Sequence, residues 1–286
     1  MNRARHALKW LVFLASLLPI GGGLAQLVVV QDARNRQIFG GGSRTVNVVI
    51  SNSSDTATSI EARFALVQLS SATAIRLGDS PWKKLELLTG QTVVESANIA
   101  FPAVKAETRF LIQWLAGSNQ VLGTTDLLVY PTNLLAQIKS LVGDTPVGTF
   151  DPAGQLNPLL RGLQIEYQDL VEDGTDKFHG NLAIFGPFES PDQMRGGLGD
   201  EIRSLARQGV AVVWLQPPQD PHAPAKPSFY FVRAGDGTVV VAQAEMVLHL
   251  GENPVSQLNL IQLSKEALHP EPLDLPALGI QIKKKL

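Results

Sequence analysis

The sequence predicts two domains in series. An all-β sandwich occupies residues 26–130 and an α/β domain with a mostly parallel sheet occupies 131–270, behind a leader at 1–25 and ahead of an extended tail at 271–286. Three observations predict this. The chain has 286 residues, 44% hydrophobic, 17% charged and without cysteine, a length that suits two domains, each able to bury a core without disulfides or metals. Apolar runs are short and strand-like before Tyr130-Pro131, and strand patterns alternate with helical ones after it. Charge divides at the same place: residues 26–130 carry nine basic and eight acidic side chains, residues 131–286 twelve and eighteen.

The first 25 residues read as a secretory signal peptide. Arg3, Arg5, His6 and Lys9 form a basic head, Trp10 to Ile20 an apolar run of 11, and Gly21-Gly22-Gly23-Leu24-Ala25 a small-residue exit. That run is shorter than the roughly 20 residues of a transmembrane helix, and no later run reaches that length. The expected mature chain starts at Gln26 and is exported to the periplasm or the extracellular space. Without a cysteine near the exit it is not a lipoprotein, and the oxidising compartment adds no disulfide. Its 21 basic and 26 acidic residues leave a net charge of −5, which argues against nucleic-acid binding.

The first domain is expected to contain about seven strands: Leu27 to Val30, Thr45 to Ile50, Ala62 to Leu69, Trp82 to Leu88, Thr92 to Phe101, Arg109 to Leu115 and Asp126 to Tyr130. Each run is rich in apolar, β-branched or aromatic residues. The spacers carry turn chemistry, as in Gly40-Gly41-Gly42, Ser51-Asn52-Ser53-Ser54-Asp55, Gly78-Asp79-Ser80-Pro81, Thr89-Gly90 and Gly117-Ser118-Asn119. Short strands with a turn about every dozen residues describe a two-sheet sandwich of immunoglobulin-like type, with Trp114 as a core plug. On this strand rhythm and the segment Val46-Asn47-Val48-Val49-Ile50-Ser51-Asn52-Ser53-Ser54, the domain resembles bacterial immunoglobulin-like, or fibronectin-like, extracytoplasmic modules. The antibody-type cysteine pair is absent.

The second domain is expected to run helix 134–141, strand 146–150, helix 154–162, strand 163–167 and strand Leu182 to Phe185. A helix entered at Ser190-Pro191-Asp192-Gln193 follows, with Ser190 as cap and Gln193 completing a capping box. It breaks at Gly196-Gly197-Leu198-Gly199, resumes at Asp200 and ends at Gly209, just before the strand Val210 to Leu215. A strand pair turning at Ala234-Gly235-Asp236-Gly237 follows. The last helix, Pro254 to Leu268, places Leu260, Leu263 and Ala267 on one stripe. The unit Leu182-Ala183-Ile184-Phe185-Gly186-Pro187, a helix, then Arg207-Gln208-Gly209-Val210-Ala211-Val212-Val213-Trp214 resembles the flavodoxin-like sheet of class I glutamine-amidotransferase-like domains over roughly 131–250. That family's catalytic form needs a cysteine nucleophile and a downstream His-Glu pair. With no cysteine, and with Leu215-Gln216-Pro217-Pro218-Gln219-Asp220 where an elbow would stand, the resemblance implies the fold without the catalysis.

Other chemistry is similarly unsupported. There is no Gly-x-Ser-x-Gly, and His179, His222, His249 and His269 lack metal-ligand spacing. Glu166, Asp169, Glu172, Asp173 and Asp176 cluster around Gly174 without the spacing of a calcium loop, so they read as a solvated turn. The Gly196 to Gly199 run sits inside a helical segment, which makes it a helix break rather than a phosphate loop. No cofactor or metal is expected. In an open parallel sheet a ligand crevice opens at the carboxyl ends of the strands, which places Asp151, Gly186, Glu189, Ser190 and Gln216 around it. Asp151 and Glu189 are its two carboxylates. Their structural alternatives are an Asp-Pro turn residue and an acidic helix-entry residue.

The expected function is therefore that of an exported, non-enzymatic interaction or scaffold protein of the cell envelope with an envelope protein as partner. The alternative is a small-molecule-binding protein or hydrolase using the strand-end crevice. Carbohydrate binding is the weaker variant, because only 6% of the chain is aromatic and the pattern puts Trp114 and Trp214 inside strand cores. The tail carries Lys283, Lys284 and Lys285. These allow weak contact with an anionic membrane surface, at about 1 kcal/mol per lysine.

Overall fold

A computed structural model describes residues 27–30, 36–117, 120–217, 229–270 and 282–283. The leader at 1–25, His222, Lys284, Lys285 and most of the tail lie outside the described residues. The first eight strands are β1 (Leu27–Val30), β2 (Arg36–Phe39), β3 (Gly42–Asn52), β4 (Thr58–Leu69), β5 (Ala74–Leu87), β6 (Thr92–Phe101), β7 (Thr108–Ala116) and β8 (Gln120–Tyr130). They form a three-stranded sheet of order β1-β3-β6 and a five-stranded sheet of order β2-β8-β7-β4-β5.

Alternation is what makes these runs strands. Val46, Val48, Ile50 and Asn52 of β3 are buried, as are Phe110, Ile112 and Trp114 of β7, while their neighbours are less covered. Trp114 is 1% exposed and takes the rings of Phe64 at 6.1 Å and Trp82 at 5.0 Å, so it is the core plug its pattern suggested. Asn52 is the polar counterpart. Its Nδ2 donates to the Thr56, Leu87 and Leu88 carbonyls and its Oδ1 accepts from Ser54, which satisfies a fully buried amide.

The rest of the chain gives α1 (Ala136–Val142), β9 (Val147–Phe150), α2 (Asn157–Gly162), β10 (Tyr167–Asp169), β11 (Leu182–Phe185), α3 (Leu198–Arg207), β12 (Ala211–Gln216), β13 (Phe229–Ala234), β14 (Gly237–Gln243), α4 (Pro254–Leu268) and the two-residue β15 (Ile282–Lys283). The third sheet runs β10-β9-β11-β12-β14-β13-β15. Strands β10, β9, β11, β12 and β14 are parallel, while β13 is antiparallel to β14 and to β15. One face packs Ile184, Val213, Leu215, Val240 and Ala242 against Ile138 of α1, Leu160 of α2 and Leu260, Leu263 and Ala267 of α4. The other packs Ala183, Phe185, Val212, Val239 and Val241 against Leu198, Ile202, Leu205 and Ala206 of α3.

The expected pairing of an immunoglobulin-like sandwich with a flavodoxin-like domain is thus corrected. Among the described residues there are three sheets, with 46% strand and only 20% helix, and each of the two larger sheets mixes parallel with antiparallel pairs. In the five-stranded sheet β2 runs parallel to β8, from Arg36 opposite Leu127 to Phe39 opposite Tyr130. Strands β4 and β5 form one long hairpin of 12 and 14 residues in place of short, even strands. The residues Gly78 to Pro81, which look like a turn, lie within β5. Proline and glycine are tolerated there because β5 is the sheet's edge and because its register against β4 shifts twice, between Ala62 and Arg63 and between Leu66 and Val67.

The chain clusters into two compact units. One comprises the described residues among 1–34 with Thr45–Asn98 and Leu111–Asp126; the other comprises the described residues among 35–44 with Ile99–Phe110 and Leu127–Leu286. Within the second, Phe39, Tyr130 and Leu134 form a cluster with Leu258 and Ile261 of α4. The Tyr130 hydroxyl donates to Glu107 at 2.7 Å. Burial, reinforced by that carboxylate, pushes the phenol up to about 12.

Gly237 at the start of β14 shows how closely α3 approaches the sheet. A Cβ there would stand 2.3 Å from the Ala206 carbonyl oxygen and 2.5 Å from that of Val210, whereas one at Gly199 meets nothing within 4 Å. Gly237→Ala should lower stability by about 1–3 kcal/mol, and Gly199→Ala, inside α3, should leave it unchanged or raise it by up to about 1 kcal/mol. Thermal melts of the two variants compare these directly.

Candidate functional site

The carboxyl ends of β9, β11, β12 and β14 share one edge of the third sheet, and the five residues expected around a crevice lie along it. Asp151 follows β9. It is 6% exposed, and its Oδ1 accepts from the Gln155 amide at 3.0 Å while its Oδ2 accepts from those of Leu156 and Asn157 at 2.8 Å each. Three amides at the entry of α2 therefore converge on one carboxylate. This is the capping role that a helix start requires, since its first N–H groups lack intrahelical acceptors.

Glu189 is exposed. Its Oε1 accepts from Gln155 Nε2 at 2.9 Å, and its backbone amide donates to Gln193 Oε1 at 2.7 Å. The expected capping box is therefore displaced by one residue. Gln193 reaches back to Glu189 rather than Ser190, the Ser190 hydroxyl makes no capping bond, and Pro191–Gln193 is a single 3₁₀ turn. Gln155 thus links the loop after β9 to the loop after β11. Gly186 sits between them with φ +96°, its amide donating to the Phe150 carbonyl at 2.8 Å. A Cβ at Gly186 would come within 2.8 Å of the Leu215 carbonyl oxygen, so only glycine fits this close approach.

Phe188, which the sequence reading placed in the strand-end loop Gly186-Pro187-Phe188-Glu189-Ser190 without a role of its own, turns out to be a packing residue. It has no exposed surface, and its ring lies 6.0 Å from that of Phe150, which stacks on Phe185 at 5.7 Å. Arg195, paired with Glu201 at 2.5 Å, covers Phe150 from 4.9 Å. The position between β9 and β11 where a ligand would enter is filled by an aromatic side chain of the protein itself. The signal was present in Gly186-Pro187-Phe188, which puts a large apolar residue three positions beyond the strand's end, in what sequence reasoning treated as loop.

Gln216 ends β12 opposite Gln243, the last residue of β14, and both are half-buried. Trp214, expected in the core, is also only half-buried. The acidic cluster is used locally. Asp169 accepts from Asn157 Nδ2 at 3.1 Å and from the Val171 amide at 2.9 Å, and among the described residues no group of His, Asp and Glu is arranged to hold a metal ion. No helix among the described residues is long and apolar enough to cross a membrane.

No protein-family model matches the chain, and no curated protein does. Solved structures are similar in part only. The Pseudomonas fluorescens alkylpurine DNA glycosylase AlkC aligns with 38% of this chain and 31% of its own at 11% identity and a TM-score of 0.28. A Listeria innocua β-glucosidase aligns with 37% of this chain and 16% of its own at 14% identity and 0.28. The Bacillus subtilis sporulation control protein Spo0M aligns with 42% of this chain and 57% of its own at 10% identity and 0.29. Likeness at this level carries no functional argument.

The two carboxylates are separable by their cost. Asp151→Ala strips three amides of their acceptor and should destabilise the fold by about 2 kcal/mol or more. Glu189→Ala, at an exposed site, should stay within about 0.5 kcal/mol of the parent. Urea denaturation of both variants measures the difference.

Proposed function

We propose that the chain is an exported, non-enzymatic interaction protein of the cell envelope, acting in the periplasm or outside the cell through an envelope protein partner. The observation that carries this reading is the filled strand-end crevice. A general acid and base must be free to meet substrate, yet Asp151 is consumed by the α2 amides and Glu189 is tied to Gln155, with Phe188 packed between their loops. Interaction is further supported by exposed apolar side chains on the edge strand β5, where Ile75 is 54% and Leu77 46% exposed. Export rests on the basic head, short apolar run and small-residue exit of residues 1–25. Lys283, Lys284 and Lys285 add at most a weak attraction to anionic headgroups.

The test is cross-linking of the tagged protein in its native host, with mass spectrometry of the captured species and of the protein's own N-terminus. The expected result is a mature chain beginning at Gln26 and reproducible capture of one envelope protein, unchanged in Glu189→Ala. A retained leader, or the absence of any specific partner, contradicts the proposal.

A further inference from the structure

The third sheet carries a row of side chains across its carboxyl edge on the α3 face. Strand register places Phe150 opposite Phe185, Phe185 opposite Trp214, Trp214 opposite Val241 and Val241 opposite Tyr230, and all five belong to or pack on the same apolar cluster. The row has two unlike halves. Over β9 and β11, Phe188 and Arg195 close it. Over β12, β14 and β13, Trp214 and Tyr230 are only half-buried, and Gln216 and Gln243 stand one step further toward the strand ends on that face.

Two polar atoms in the second half have no protein partner. Trp214 Nε1 and Gln243 Oε1 are both buried and make no hydrogen bond with the chain. One is a pure donor and the other a pure acceptor, and leaving buried polar groups unpaired is costly. An acceptor for the indole and a donor for the amide satisfy them, and a hydroxyl can take either part. Trp214 and Tyr230 are aromatic residues left partly uncovered, and Gln216 offers a further donor and acceptor. Trp214, Gln216 and Gln243 bear no ionisable group, and Arg195, which lies over Phe150 in the other half of the row, is paired with Glu201.

We propose that Trp214, Tyr230, Gln216 and Gln243 form a binding shelf for a neutral saccharide, its ring face on the aromatic side chains and its hydroxyls on the two amides and the indole N–H. This goes beyond the interaction reading and does not rest on it, since a protein partner is captured with or without a sugar. The shelf shares only Gln216 with the expected strand-end crevice. A free oligosaccharide and the glycan of the cell wall present the same chemistry.

The test titrates the full mature chain with cellotriose, maltotriose and chitotriose by tryptophan fluorescence, and in parallel measures its retention on purified peptidoglycan sacculi. Saturable binding of one or more trioses supports the shelf with a free sugar as ligand; retention on sacculi alone supports it with the wall glycan as ligand. In either case Gln216→Leu and Gln243→Leu, which keep side-chain volume and spare the aromatic core, should each weaken binding about three- to tenfold. A Trp214→Phe variant that melts like the parent should weaken it at least as much. Binding in neither arm overturns the proposal, as does binding that both leucine variants leave unchanged, or saturable binding of an extended peptide library without any saccharide.

Discussion

The Phe188 ring packs 6.0 Å from Phe150, and Phe150 stacks on Phe185 at 5.7 Å; this aromatic contact decides which part of the third sheet's carboxyl edge can meet a ligand. A fully buried phenylalanine contributes several kcal/mol of burial, so the loop that carries it is held down onto the sheet. That loop also holds Glu189, whose bond to Gln155 ties it to the loop after β9, and Gln155 is in turn the first residue whose amide Asp151 caps. Packing and hydrogen bonding thus reinforce one closure. The edge between β9 and β11, where the strand order reverses and ligands are expected in open sheets, is used for stability.

Closure on one side leaves the other side distinct. Across β12, β14 and β13 the same row of side chains continues, with half-buried aromatic residues and the two glutamines in place of Phe188 and Arg195. The indole N–H and the amide oxygen left without protein partners lie in this half. Asp151 meets three amides and Asn52 makes five hydrogen bonds, while Gln37, Arg63, Asn157, Asn181 and Gln257 each keep one buried polar atom without a partner. What sets Trp214 and Gln243 apart is their place: a donor and an acceptor on one face of the sheet's carboxyl edge, beside the half-buried Tyr230 and Gln216.

Features set by local chemistry were legible in the sequence. The α4 helix runs from Pro254 to Leu268 as its proline start and Leu260-Leu263-Ala267 stripe indicate, and Asn253 caps it by accepting from the Val255 amide. The β13–β14 hairpin turns at Ala234-Gly235-Asp236-Gly237, and the apolar run Leu182 to Phe185 is a fully buried strand. Features set by distant partners were not. Nothing local in Arg36-Gln37-Ile38-Phe39 reveals a parallel partner some ninety residues away in β8. The glycine and proline of Gly78 to Pro81 signal a turn, and only the edge position of β5 permits them inside a strand. At the site, the edge itself was anticipated, along with Asp151, Gly186, Glu189, Ser190 and Gln216 as its residues. The part each plays depends on Phe188 and on the amides of α2, which sequence spacing does not resolve.

The measurement that tests this account most directly is the stability of Phe188→Ala in urea, with circular dichroism to confirm that the fold is retained. Closure of the crevice by a fully buried ring predicts a loss of about 3–5 kcal/mol. A loss below about 1 kcal/mol would place the ring in solvent, leave the crevice between β9 and β11 open, and contradict the division of the edge into a closed half and a binding half.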